Sequence, residues 1–170
     1  MESIHTVNEI EWINNHLQSN GLIDMEQVQC ISSFSLLWNL FEGHVCGQNA
    51  SIRNFENITK NLDEKGLLVR KDFDIYLSYY RDRYVSGGKM KSIFNGLRFR
   101  PNDRKDLVEN VLLGKDDNLS NIVLSLLIIV YRLKNNLFHC IKSLYNINDQ
   151  LDNFRKANRI LMKIVELAKI

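Results

Sequence analysis

From Leu119 to Tyr145 the chain runs 27 residues without a glycine or a proline, and apolar residues recur along it at helical intervals. Pro101 is the single proline of the chain and only eight glycines accompany it, so few places force a helix to stop. One long helix must bury a face against neighbours. Shorter periodic stretches supply them. Residues 5–18 carry Val7, Ile10, Ile13 and Leu17 with Trp12 beside them, ending near Gly21. A second helix starts at Asp24 or a neighbour and runs to about Glu42 with Val28, Ile31, Phe34, Leu37, Trp38 and Phe41 inward. The third, Asn49 to Leu62, turns Ile52, Phe55, Ile58 and Leu62 inward. The fourth opens at Lys71-Asp72, gathers Phe73, Tyr76, Leu77, Tyr80 and Tyr84, and ends at Ser86-Gly87-Gly88. After Pro101, Asn102 or Asp103 caps a short helix through Leu113, and Gln150 to Lys169 forms the last, burying Leu151, Phe154, Ile160 or Leu161, Ile164, Val165 and Leu167. The expectation is one all-α domain over 1–170, a bundle of six or seven helices with short loops.

The helical wheel places chemistry on the long helix. Arg132 and His139 are seven positions apart and project within about 20° of each other. Asn136 falls on the same line and Asn135 beside it. Further back the line passes Ser125, Asn121 and Asn118, while Leu119, Val123, Leu126, Val130, Leu133 and Leu137 gather opposite. This describes a two-faced helix. The polar line is either a solvated face or a set of groups suited to phosphate chemistry. His titrates near neutral pH, Arg offers a planar fork to phosphate oxygens, and Asn adds neutral hydrogen bonds.

Charge and cysteine content narrow the class. A net charge of +2 and a pI near 8.4 fall below the pI of about 9 that flags a nucleic-acid-binding domain, so any basic surface is local. The best local patch is 89–100, where Lys89, Lys91, Arg98 and Arg100 meet no acid and Ile93, Phe94, Leu97 and Phe99 lie between them. Such a loop either holds single-stranded nucleic acid, cations on phosphate and rings under bases, or is anchored to the core by its apolar members. Gly87-Gly88-Lys89 lacks the spacing and the preceding strand of a phosphate loop. Cys30, Cys46 and Cys140 are odd in number and scattered, which points to a reducing cytoplasm rather than a disulfide framework. No signal peptide is visible at residues 1–5, and the apolar run Leu126 to Tyr131 is far short of the roughly 20 residues that cross a bilayer, so a soluble protein is expected. His44-x-Cys46 and His139-Cys140 do not make a zinc spacing, and no metal or cofactor is expected. Adjacent helical residues diverge by about 100°, so Cys140 reads as a small buried hydrophobe rather than a nucleophile served by His139.

The string Tyr131-Arg132-Leu133-Lys134-Asn135-Asn136-Leu137-Phe138-His139-Cys140 resembles the Arg-x(4 to 6)-His signature of HEPN domains, all-helical modules of prokaryotic ribonuclease toxins and defence proteins. It is most similar to the subgroup whose motif reads Arg-Asn-Asn-Leu-Phe-His-Gly. Lys134 stands here where that subgroup has Arg, and Cys140 where it has Gly. Mapping the family Arg onto Arg132 keeps a guanidinium on the side of His139. Mapping it onto Lys134 gives a point charge about 140° away on a straight helix. Arg132 is therefore the expected catalytic cation and Lys134 an auxiliary one. Ser33 to Glu42 resembles the first family helix, which packs near the motif helix and makes Glu42 a second auxiliary residue.

The resemblance implies metal-independent RNA cleavage through Arg132, His139, Asn135 and Asn136, with RNA held by Lys89, Lys91, Arg98 and Arg100. It also implies a homodimer whose motif helices face each other across a cleft, in a toxin or anti-phage defence setting with an antitoxin or larger assembly as a possible partner. The alternative is a HEPN-like module that has lost cleavage and acts as a nucleic-acid- or protein-binding scaffold. A plain helical interaction domain with a chance motif stays open as a third.

Overall fold

The computed structural model describes residues 8–16, 23–139 and 147–168. The described residues are all-α apart from one hairpin of two-residue strands. Helix α1 spans Glu9–His16 and buries none of its residues. Val7, Leu17 and Gly21, assigned to that helix and its cap, lie outside the described residues. Helix α2, Met25–Leu40, starts at Asp24 in a reciprocal cap. The Asp24 carboxylate accepts from the Gln27 N–H at 2.8 Å, and the Gln27 side chain accepts from the Asp24 N–H at 3.0 Å. It continues into a π-helical turn, Phe41–Val45. Ser51 caps α3, Ile52–Glu64, and α4 spans Lys71–Tyr84. Gly87 and Gly88 have φ of 55° and 70°. Successive left-handed residues are what a two-residue hairpin turn needs, and they pair Val85 with Met90 and Ser86 with Lys89. A 3-10 helix, Ser92–Leu97, then leads through the loop at Pro101 to α5, Lys105–Leu112. The long helix α6 spans Leu119–His139, and α7 spans Ile147–Leu167. The part of the long helix expected at 140–145 lies outside the described residues.

Helix α6 is the axis around which the bundle closes, with α3, α4, α5, α7 and the 3-10 helix packed on it. Every residue from Ile122 to Val130 is buried, Ser125 included. This corrects the two-faced reading. Ile128 and Ile129 project within about 60° of Arg132, so the polar line is interrupted by apolar side chains where the helix crosses the core. A helix apolar all round is a buried helix, and the run Ile122 to Val130 is one. Helices α2 and α7 lie along each other, with Phe34 and Phe154 rings 5.0 Å apart. Both Ile160 and Leu161 are fully buried.

The start of α5 also differs from expectation. Its first turn is preceded by Arg104 in the left-handed region, φ 53°, with no side-chain cap. Neither Asn102 nor Asp103 caps the helix. The Asp103 carboxylate turns inward, for a reason that lies on α6.

Candidate functional site

Arg132 leaves α6 beneath the segment between the 3-10 helix and α5. Its Nε donates to the Leu97 carbonyl at 3.0 Å and its Nη2 to the Arg98 carbonyl at 2.5 Å. Nη1 lies 3.0 Å from Oδ2 of Asp103, and the two side chains are only 4% and 7% exposed. That contact has the distance of an ion pair without the alignment of a hydrogen bond, since Nη1 has no hydrogen-bond partner. The same Asp103 oxygen accepts the Arg100 N–H at 2.8 Å. A turn closes from the Arg100 carbonyl to the Asp103 N–H at 3.1 Å, with Pro101 in its second position. Burial pushes the Arg132 pKa down, the Asp103 charge opposes that shift, and the nearby Arg100 adds to it.

The guanidinium therefore works as a clasp. It joins the motif helix to two carbonyls and one carboxylate of the segment 97–103. Asn136 adds a second tie, its Nδ2 donating to the Gly96 carbonyl at 2.9 Å. Asn135 is buried at 6% exposure, and its Nδ2 has no hydrogen-bond partner. Expected on the exposed side of the helix, Arg132 and Asn135 are interior groups, while Asn136 is partly exposed. His139 closes α6 with helical backbone; its side chain, and Cys140 altogether, lie outside the described residues.

Lys134 belongs to another flank. Its ammonium lies 5.4 Å from the Trp38 ring centre, a cation–π contact. Trp38 stacks near Tyr131 at 5.9 Å and donates its indole N–H to Oε2 of Glu42 at 2.9 Å. Glu42 is thus linked to the motif helix through Trp38, which lies against Lys134 and Tyr131. Its charge helps push the Cys46 thiol up to about 12, burial being the larger cause.

The expected basic loop is divided. Arg98 and Arg100 are exposed side chains on backbone that Arg132 and Asp103 hold in place, and Arg98 itself is left-handed with φ 50°. Lys89 is exposed on the hairpin. Lys91 donates to the Asp82 carbonyl at 2.6 Å, in the last turn of α4, where a cation complements the unpaired carbonyls of a helix end. Phe94 and Leu97 are buried and Phe99 half-buried, with Phe94 and Phe99 rings 5.1 Å apart. These apolar members anchor the loop to the core, leaving the cations on its outer side.

Sequence reasoning missed Asp103. An acid just before a helix is ordinarily a cap, and nothing in the local string says that its partner lies 29 positions later. Among the described residues no group of three or more His, Cys, Asp or Glu is gathered to hold a metal ion, and no helix is long and apolar enough to cross a membrane. No family model, curated protein or solved structure matches the chain.

Proposed function

We propose that the chain is a metal-independent endoribonuclease of HEPN type, of the toxin or anti-phage defence class, working as a homodimer. The observation that carries this reading is the pair of ties from the motif helix to the basic segment. Arg132 holds the carbonyls of Leu97 and Arg98, and Asn136 holds that of Gly96. They bring exposed Arg98 and Arg100 beside the end of α6 that terminates in His139.

The chemistry needs little else, because RNA carries its own nucleophile. A base takes the proton of the 2′-hydroxyl, whose oxygen attacks the adjacent phosphorus. The 5′-oxygen departs with a proton from an acid, leaving a 2′,3′-cyclic phosphate and a 5′-hydroxyl. His139 of one chain serves as base and the same residue of a second chain as acid. Arg98 and Arg100 hold phosphate, while Lys134, seated against Trp38 on another flank, stays an auxiliary cation outside that contact. Arg132, enclosed and bound on three sides, acts by positioning the segment that presents them. The dimer contact falls near the C-terminal end of α6, since the middle of the helix is buried.

A specific observation favours a second reading. The family's clasp for phosphate is here occupied by Asp103, which fits a HEPN-like scaffold that binds without cleaving. Incubating the purified protein with mixed single-stranded RNA separates the two. The enzyme reading expects cleavage that His139→Ala abolishes, with affinity lowered by the Arg98→Ala/Arg100→Ala pair. Binding without cleavage supports the scaffold, and neither binding nor cleavage contradicts both.

A further inference from the structure

A groove of about 930 Å³ runs between α2, α4 and α7. Apolar side chains on its walls face water, Leu36 at 73%, Ile75 at 60% and Met162 at 37% exposure. Met25 and Leu40, also exposed, lie within about 40° of Leu36 on the α2 wheel and prolong the strip. The α7 wall is basic. Arg155 pairs with Glu26 and Asp152, the Lys156 ammonium lies 5.5 Å from the Tyr79 ring centre, and Arg159 is exposed and in no ion pair among the described residues. Three helices thus leave an apolar floor beside a cationic edge, a surface that favours an apolar partner carrying acids.

Helix α1 has that chemistry. None of its residues is buried, and Trp12 is 54% exposed with its ring stacked on His16 at 3.9 Å. Glu9 projects about 60° from Trp12 on the same side. Neither Glu9 nor Glu11 is in an ion pair among the described residues. Asn14 fixes the opposite side to its own chain, donating to the Ile23 carbonyl at 3.0 Å and accepting the Ile23 N–H at 2.7 Å. Asn14 lies about 200° from Trp12 around the helix, so this tether turns the indole outward.

We propose that the groove receives α1 of a second copy of this chain, with Trp12 seated among Leu36, Ile75 and Met162 and Glu9 facing Arg159. A large aromatic inserted in an apolar pocket is the usual anchor of an interface. One eight-residue helix is a small contact against the roughly 800 Å² per partner of a stable complex. Reciprocal exchange about a two-fold axis doubles it and closes the assembly. The contact uses none of the motif residues, so it is independent of the RNA reading and of the self-contact near the end of α6.

The test uses the full chain. In sedimentation velocity from 1 to 100 µM, Trp12→Ala and Arg159→Glu should each weaken self-association at least tenfold. Combining Arg159→Glu with Glu9→Arg should restore it. Both sites are exposed, so these variants should fold normally. Mixing a His16→Cys chain, which keeps Trp12 and carries the thiol one turn away beside its ring, with a Leu36→Cys chain under mild oxidation should give a disulfide between the two. Self-association unchanged by Trp12→Ala and by Arg159→Glu overturns the proposal. So does a monomer throughout the range, or no disulfide between the two mixed chains.

Discussion

Removing the Asp103 carboxylate is the sharpest perturbation of the clasp. In Asp103→Ala the buried Arg132 side chain, 4% exposed, keeps its two carbonyl acceptors and loses the negative charge 3.0 Å away. Breaking a buried pair by deleting one partner typically costs about 3 to 5 kcal/mol, mostly because the remaining charge is buried and uncompensated. A domain of 170 residues loses about 2 to 4 °C of Tm per kcal/mol. The expected fall is therefore about 6 to 20 °C, accompanied by a lower urea midpoint at unchanged slope. Adding Arg132→Met to Asp103→Ala should cost clearly less than the sum of the two single losses, since no buried charge is then left uncompensated, although the Leu97 and Arg98 carbonyls lose their donor. Thermal and urea melts of the two single variants and the double variant measure the coupling directly. An Asp103→Ala loss below about 1 kcal/mol, or purely additive losses, would refute the argument that the pair is enclosed and interdependent.

Arg132→Lys should lower Tm and RNA affinity together, because one ammonium cannot reproduce the planar fork to two carbonyls and a carboxylate; Lys134→Ala should leave Tm nearly unchanged. The reverse order in RNA cleavage would make Lys134 the motif's working cation. Stability should be full below about pH 9 and decline towards pH 12. Cys46 is raised from 9.0 to about 12, Tyr84 from 10.0 to about 12 and Tyr80 well above 10.0, all chiefly by burial, so the folded state holds these protons more tightly than the unfolded chain. Tyrosinate absorbance recorded with the melts checks this, and complete ionisation near pH 10 with the fold intact would contradict it. Neutralising Arg98 and Arg100 together should flatten the salt dependence of RNA affinity, and a slope equal to that of the unaltered protein would place the phosphate contacts elsewhere.

The helices were legible because their punctuation is local. Asp24 and Gly87-Gly88 act within four residues of the backbone they cap or turn, whereas the third helix, expected from Asn49, starts after the Ser51 cap. Burial on α6 was less so. The wheel resolved polar from apolar positions, but amphipathicity and enclosure are different properties. The density of Ile122 to Val130, rather than its periodicity, reveals that this helix is surrounded. The clasp could not be read at all, since it depends on which loop crosses the motif helix. Arg132 looks the same in the string whether it meets water, a phosphate or Asp103.

The claim that the motif helix and its basic segment cleave RNA without a metal is tested most directly by the ends that cleavage leaves. Single-stranded RNA, labelled at either end, is incubated with the protein in excess EDTA and the fragments are identified by mass. The account predicts 2′,3′-cyclic phosphate or 3′-phosphate ends paired with 5′-hydroxyls, produced by the unaltered protein and absent with a folded His139→Ala variant. Fragments ending in 3′-hydroxyl and 5′-phosphate, or cleavage that survives His139→Ala, would contradict it.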